Sequence, residues 1–317
     1  MINLFHINNH TLHTSQYTNL LHDQIVTDFE DVVKRYVGAK YAVTFNSATS
    51  AIFLSLLNKN VTLEVPSLIP PVVLNAIITS GNKHTFRDDV SWVGDSYVLH
   101  DFGDYKIVDS AQKLEKDQYI KECNDEDLMV FSFYPTKPVG GSDGGMIVSN
   151  DYEKIKKLKE MALNGMSYSH NNWERVIKFA GYKMYMNSMQ ADIALRNFNL
   201  YEDKLSTLNR VRRIYNESLG LSNTSHHLYR IEVQNRNDFI DHMRKAGISC
   251  GIHYEAAHLH PVYEVKGVEC PLSSETSKKT VSIPFHEKLT NSEIRLIIEK
   301  VNEYGRKELK VPVKGVR

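Results

Sequence analysis

The sequence contains little cysteine, with three thiols, Cys123, Cys250 and Cys270, among 317 residues. Three cysteines are too few for a disulfide framework, and none stands in the CxxC spacing of metal and redox sites. This scarcity excludes a disulfide-stapled secreted scaffold. We therefore expect reduced thiols in a cytoplasmic protein.

Net charge and long apolar runs are also lacking. The 38 Lys and Arg residues balance 38 Asp and Glu residues, and the isoelectric point is about 7.2. This balance disfavours a broad electrostatic footprint for nucleic acid or for an anionic membrane. No stretch approaches the roughly 20 apolar residues of a membrane span, and the first residues lack the basic and apolar regions of a signal peptide. We expect a soluble protein with no nucleic-acid and no membrane partner.

The sequence does contain an alternation of strand and helix patterns. The strand-like run Tyr41–Phe45 leads through a small polar turn at 46–50 into an apolar helix, a unit that presents backbone N–H groups at a helix N-terminus. The alternation predicts a large α/β domain over residues 1–205, with a mostly parallel sheet flanked by helices. After about residue 220 the order of the patterns changes, which predicts a smaller C-terminal α+β domain over residues 206–317.

Four polar side chains follow two neighbouring predicted strands. Asp109 and Gln112 come after one strand, and Ser132 and Lys137 come after the next. Residues just past the carboxyl ends of parallel strands line the ligand crevice of an α/β sheet. We therefore expect a carboxylate, an amide, a hydroxyl and an amine to converge at one rim.

This set suits pyridoxal phosphate (PLP). A partly desolvated Lys137 has a lowered pKa and can form a Schiff base, and a carboxylate opposite it can keep a pyridine nitrogen protonated. Ser132 and the N–H groups near Ala48 and Thr49 suit a phosphate. Each residue also has a plain structural interpretation, because a loop lysine is often solvated and an aspartate after a strand often caps a helix.

The combination of motifs resembles the DegT/DnrJ-type PLP-dependent nucleotide-sugar aminotransferases, which have the aspartate aminotransferase fold (fold type I). The resemblance extends through nearly the whole chain, and its most specific motifs are Asp109-Ser-Ala-Gln112 and Ser132-Phe-Tyr-Pro-Thr-Lys137. The segments Tyr36–Val43, Ser47–Thr49 and Gly251–Tyr254 are also similar to family segments.

The resemblance implies roles for individual residues. Lys137 is the catalytic lysine that binds PLP and moves a proton, Asp109 pairs with the ring nitrogen, and Gln112 lies near the ring. Tyr254 and His258 are implied substrate contacts, and no metal site is expected. The implied cofactor-binding residues are Ala48, Thr49, Asp109, Gln112, Ser132, Lys137 and, acting across a homodimer with shared active sites, Lys183.

The implied reaction moves an amino group, with L-glutamate as the expected donor, to a 4-keto or 3-keto group of a nucleotide-linked deoxysugar. Two alternatives stay open. One is another PLP reaction such as sugar dehydration, although the dehydratase branch replaces the Schiff-base lysine by histidine and Lys137 therefore favours transamination. The other is a non-catalytic regulatory member of the family.

Three features depart from the family pattern. Ala48 replaces the glycine of the turn, and Pro70 stands where an aromatic residue usually covers the ring. The segment between Asp89 and Asp109 is also short. Because a strand–helix–strand crossover needs about 10–12 residues including its helix, we expect that helix to be lost or trimmed.

Overall fold

A computed structural model describes residues 1–168 and 175–305 of the chain. The helices are α1 (Gln24–Val37), α2 (Ala48–Leu56), α3 (Pro71–Thr79), α4 (Gln118–Glu122), α5 (Tyr152–Ala162), α6 (Ser188–Asn199), α7 (Tyr201–Leu219), α8 (Arg236–Lys245), α9 (Pro271–Lys279) and α10 (Asn291–Gly305). The strands are β1 (Tyr41–Phe45), β2 (Thr62–Pro66), β3 (Lys83–Arg87), β4 (Tyr97–Asp101), β5 (Lys106–Asp109), β6 (Leu128–Ser132), β7 (Gly145–Ser149), β8 (Met166–Tyr168), β9 (Arg175–Ile177), β10 (Tyr229–Glu232) and β11 (Thr280–Ile283).

The central sheet has the strand order β1-β7-β6-β5-β4. In it, β5 and β6 run parallel, whereas β1 with β7, β7 with β6 and β4 with β5 are antiparallel. The predicted α/β class is confirmed, and the strand directions correct the expected mostly parallel sheet to a mixed one. The reason is that β4–β5 and β6–β7 are joined by connections without a helix, and a parallel pair needs a crossover.

The central strand β6 is buried on both faces, which explains its continuous apolar run. Leu128 and Val130 pack in a cluster with α2, α3 and α5. Met129 and Phe131 point to the opposite face, because successive side chains alternate across a strand, and they pack with α1 and α6. Helices therefore cover both faces of the sheet and leave the strand ends to form a site.

A further hydrophobic cluster is built by α7, β10, α8, β11 and α10. The N-terminus of the chain joins it, since the Ile2 amide donates to the Gly247 carbonyl at 2.7 Å. The predicted domain division between residues 205 and 206 falls inside α7. That division stays a prediction.

The segment between β3 and β5 is short in the structure as well. Residues 88–105 form a turn and then β4, and no helix occurs in this described stretch. The expected loss of the crossover helix is therefore seen. Among the residues that the structure describes, no helix is both long and apolar enough to cross a bilayer.

Candidate active site

A tightly folded loop between β6 and β7 carries Lys137. The Phe133 amide donates to the Gly144 carbonyl at 2.9 Å, and the Gly141 amide donates back to the Phe133 carbonyl at 2.7 Å. A Cβ at Gly140 would lie 2.2 Å from the Pro135 carbonyl oxygen, so only glycine fits there. Gly140 thus allows the loop to fold back on itself around Lys137.

Lys137 is half-buried, and its desolvated amine interacts with the charge of the Asp109 carboxylate. Burial lowers the pKa of Lys137 to about 8, and the charge of Asp109 opposes that shift. Burial, together with the charge of Lys137, also lowers the pKa of His253 to about 4. A neutral amine is therefore accessible near pH 8, and the neutral amine is the form that attacks a carbonyl.

Asp109 ends β5 and is held by two hydrogen bonds. The Tyr97 hydroxyl donates to one carboxylate oxygen at 2.9 Å, and the Ala111 amide donates to the other at 2.9 Å. Burial raises the pKa of Asp109, while these hydrogen bonds and the charge of Lys137 lower it. Asp109 is 4% exposed, so the attraction between its carboxylate and a nearby cation is stronger than it would be in water.

Gln112 connects the carboxylate region to the C-terminal part of the chain. Its side-chain oxygen accepts from the Gly94 amide at 2.8 Å, and its NH₂ group donates to the Tyr254 hydroxyl at 3.0 Å. The Tyr254 ring lies parallel to the Trp92 ring, with centroids 6.3 Å apart. Burial and the Asp109 charge raise the pKa of Tyr254, so its hydroxyl keeps its proton.

The N-terminus of α2 lies close to the end of β6 that carries Ser132. Ser132 pairs with Gly145 across β6–β7, and Gly145 pairs with Phe45 across β7–β1. A Cβ at Gly145 would lie 2.5 Å from the Ala48 nitrogen. The N-terminus of α2 therefore packs directly on Gly145, the strand partner of Ser132. The first amides of a helix have no intrahelical acceptor, and among the described residues none bonds those of Ala48 and Thr49.

Two predicted residues lie elsewhere within the single chain. Lys183 lines a separate cavity of about 390 Å³ with His22 and Arg175. His258 contacts the Ser67 hydroxyl at 2.6 Å through Nδ1 and the Ser274 hydroxyl at 3.1 Å through Nε2. Both ring nitrogens of His258 are therefore engaged, one with Ser67 just after β2 and one with Ser274 of α9.

The sequence interpretation missed the residues that support the motif. No sequence motif marks Tyr97 as the donor to Asp109, or gives a role to Trp92 or Arg230. The signal that could have found Tyr97 is its position in the segment that replaces the crossover helix, next to β5. In the described part of the chain, no group of three or more His, Cys, Asp or Glu side chains could hold a metal ion.

The donor set fits PLP. A buried amine with a lowered pKa suits the aldehyde, a carboxylate across from it suits the ring nitrogen, and a helix N-terminus beside Ser132 suits a phosphate. Asp109, Lys137, Gln112 and Tyr254 are brought into one region by contacts and charge interactions.

Comparison with known proteins gives an independent view of this arrangement. The model of the DegT/DnrJ/EryC1/StrS aminotransferase family matches residues 7–88 and 106–302. A transaminase of Campylobacter jejuni, for UDP-4-amino-4,6-dideoxy-N-acetyl-beta-L-altrosamine, is 23% identical over 88% of this chain and 91% of its own length.

Solved structures share the fold. The aminotransferase TlmJ from Streptoalloteichus hindustanus superposes with a TM-score of 0.81 at 19% identity, covering 96% of this chain and 98% of its own. The PLP form of the sugar aminotransferase Spr1654 from Streptococcus pneumoniae, described as putative, gives a TM-score of 0.73 at 17% identity, over 90% of this chain and 92% of its own.

Proposed function

Because the chain belongs to the DegT/DnrJ/EryC1/StrS aminotransferase family, we propose that it is a PLP-dependent sugar aminotransferase. The proposed reaction transfers the amino group of L-glutamate to a 4-keto or 3-keto group of a nucleotide-linked deoxysugar. The observation that carries the proposal is the desolvated Lys137 amine within reach of the charge of Asp109, a carboxylate fixed by the Tyr97 hydroxyl and the Ala111 amide. The Campylobacter jejuni relative, a transaminase for a UDP-linked amino sugar, supports the substrate class.

When bound, PLP supplies an aldehyde and an electron sink for transfer of the amino group. The residues of this chain would bind and orient it and move protons. The Lys137 amine, neutral near pH 8, would bind the aldehyde and then carry the proton between the substrate carbon and the cofactor. The Asp109 carboxylate, fixed by Tyr97 and the Ala111 amide, would keep the ring nitrogen protonated.

The other predicted residues have positioning roles in this proposal. Ser132 and the amides of Ala48 and Thr49 would hold the phosphate at the N-terminus of α2. Gln112 would lie near the ring, held in orientation by Gly94 and Tyr254.

We further propose a homodimer in which Lys183 completes the partner's active site. Its place in a separate cavity of its own chain supports this proposal. A lysine at position 137 also favours transamination over the dehydratase-like alternative, because the dehydratase branch has histidine there and only an amine can form a Schiff base with the cofactor aldehyde.

The test is replacement of Lys137. Lys137→Ala and Lys137→Arg, loaded with PLP, should lose the near-visible absorbance of the lysine-bound cofactor and all amino transfer from L-glutamate to a keto-sugar nucleotide, followed by mass spectrometry. Lys40→Ala, which removes an exposed amine, is the control and should keep both. Normal turnover by Lys137→Ala would show that another residue carries the cofactor.

A further inference from the structure

Arg230 is a largely desolvated cation that interacts electrostatically with Glu232, two residues along the same strand. It lies on β10, where it pairs with Ser282 of β11, and its Nε atom is buried with no hydrogen-bond partner among the described residues. The charge of Glu232 only partly offsets burial, which lowers the pKa of Arg230 to about 10. A buried charge is costly unless it is paired, so this side chain is suited to pair with a ligand.

The guanidinium lines a cavity of about 590 Å³ between the segment 90–95 and the C-terminal part of the chain. This volume falls in the range of small-molecule sites. Gln112, Gly94, Asn223 and Ser225 line the same cavity. The Gly94 amide already donates to Gln112, whereas the Ser225 hydroxyl and the second N–H of the Gln112 and Asn223 side chains can donate to oxygen atoms of a polar ligand.

The other basic side chains of this cavity wall are accounted for. Lys113 forms ion pairs with Asp95 at 2.8 Å and with Glu122 at 2.9 Å. Burial lowers the pKa of His226 to about 4, so its imidazole is neutral at physiological pH. In the described lining, Arg230 is thus the cation that remains for an anion.

The cavity adjoins the reaction centre. Gln112, in its wall, donates to the Tyr254 hydroxyl, and the pKa of Tyr254 is affected by the charges of both Asp109 and Arg230. His253 contacts the Ser282 hydroxyl at 2.9 Å, and Ser282 is the strand partner of Arg230. His253 interacts with the charges of both Lys137 and Arg230, and Tyr254 with those of both Asp109 and Arg230, so this pair neighbours both sides.

We propose that Arg230 binds a carboxylate of a substrate whose reacting atom lies at Lys137. A guanidinium presents two parallel N–H donors that match a carboxylate, and the Asp95 and Glu115 side chains of the same wall disfavour a more highly charged diphosphate. The proposal rests on the proposed function for the place of the reacting atom. The carboxylate has two chemical sources, the amino donor and an acidic sugar.

The experiment uses Arg230→Gln, Arg230→Lys and, as a matched control, Arg213→Gln, which removes an exposed guanidinium on α7. L-Glutamate is titrated into each PLP-loaded protein without a sugar, and the loss of the cofactor band is followed. If the donor supplies the carboxylate, Arg230→Gln should need about 10- to 100-fold more L-glutamate for half-conversion, since a charge-assisted hydrogen-bond pair is lost. The L-glutamate concentration for half-conversion of Arg230→Lys should lie between those of the wild type and Arg230→Gln. That of Arg213→Gln should match the wild type.

A second arm tests the sugar. UDP-glucuronate and UDP-glucose are titrated calorimetrically into the same proteins. If the sugar supplies the carboxylate, Arg230→Gln should weaken UDP-glucuronate binding by about 10- to 100-fold and leave UDP-glucose unchanged. Unchanged L-glutamate titration together with unchanged UDP-glucuronate binding in Arg230→Gln overturns the proposal.

A third readout separates this proposal from the proposed function. Glutarate, a dicarboxylate that cannot react, is titrated calorimetrically into the wild type and into Arg230→Lys, which keeps a positive charge and so guards against misfolding. Weaker glutarate binding by Arg230→Lys supports the carboxylate site even if the wild type shows no lysine-bound PLP. If the wild type and Arg230→Lys bind glutarate with the same affinity, and also bind UDP-glucuronate with the same affinity, the carboxylate site is contradicted. This holds whether or not the wild type transaminates.

Discussion

Two adjacent stretches of the chain contribute to the site in different ways. Residues 106–146 carry Asp109, Gln112, Ser132 and Lys137, and they lie inside the family match. Residues 89–105 lie outside it, yet they supply the Tyr97 hydroxyl to Asp109 and the Gly94 amide to Gln112. The groups proposed to face the cofactor thus lie in a recognisable motif, whereas the Tyr97 and Gly94 groups that bond to them come from a stretch with no motif.

Breaking the motif itself should have the largest effect. Asp109→Asn replaces the buried carboxylate by a neutral amide of similar size, so the ring nitrogen loses the charge that favours its protonation. We expect amino transfer to fall by about 10²–10³-fold, as for loss of a preorganised electrostatic group. The rate of the half-reaction with L-glutamate measures this loss. The control Asp104→Asn, in the exposed turn between β4 and β5, should react at the wild-type rate. An unchanged rate in Asp109→Asn would remove Asp109 from the mechanism.

The pH dependence of PLP loading should show the next largest effect. Burial lowers the pKa of Lys137 to about 8, and only the neutral amine attacks the aldehyde. The loading rate should therefore rise about tenfold per pH unit below pH 8 and level off above it. Stopped-flow absorbance from pH 6 to 10 measures this. A rate that still rises steeply above pH 9 would mean that the amine titrates as an exposed lysine.

Removing the hydrogen bond that residues 89–105 supply to Asp109 should slow the reaction less than changing Asp109 itself. Tyr97→Phe deletes the hydroxyl that donates to Asp109, and we expect about a tenfold slower half-reaction, because a hydrogen bond to a charged group is lost. That bond lowers the pKa of Asp109, so its loss should move the acid limb of the rate profile to higher pH. Tyr105→Phe, in the same stretch, keeps the ring beneath the Lys154 amine and should leave rate and profile unchanged. Identical profiles for Tyr97→Phe and wild type would argue against a supporting role for 89–105.

Trp92 should show the smallest effect. Its indole N–H is buried and has no partner among the described residues, so Trp92→Phe removes an unsatisfied donor while keeping an aromatic ring beside Tyr97. The free energy of unfolding should stay the same or rise by about 1 kcal/mol, measured by urea denaturation. A loss of several kcal/mol would indicate that the indole nitrogen has a structural partner.

The sequence predicted those parts of the fold and site that depend on local pattern. The helix α1 ends at Gly38 in the left-handed conformation, and the small polar turn at Ser47 caps α2, both of which local signals indicate. The mixed strand order and the contacts of Tyr97 and Arg230 depend on which strands become neighbours. That information lies in long-range pairing, for which a single sequence carries no periodic signal.

The position of the cofactor lysine is the central claim of this account. PLP-loaded protein can be reduced with borohydride, digested, and searched by mass spectrometry for the lysine that carries the pyridoxyl group. The account predicts the label on Lys137. A label on another lysine, or the same labelling in Lys137→Arg as in the wild type, would contradict it.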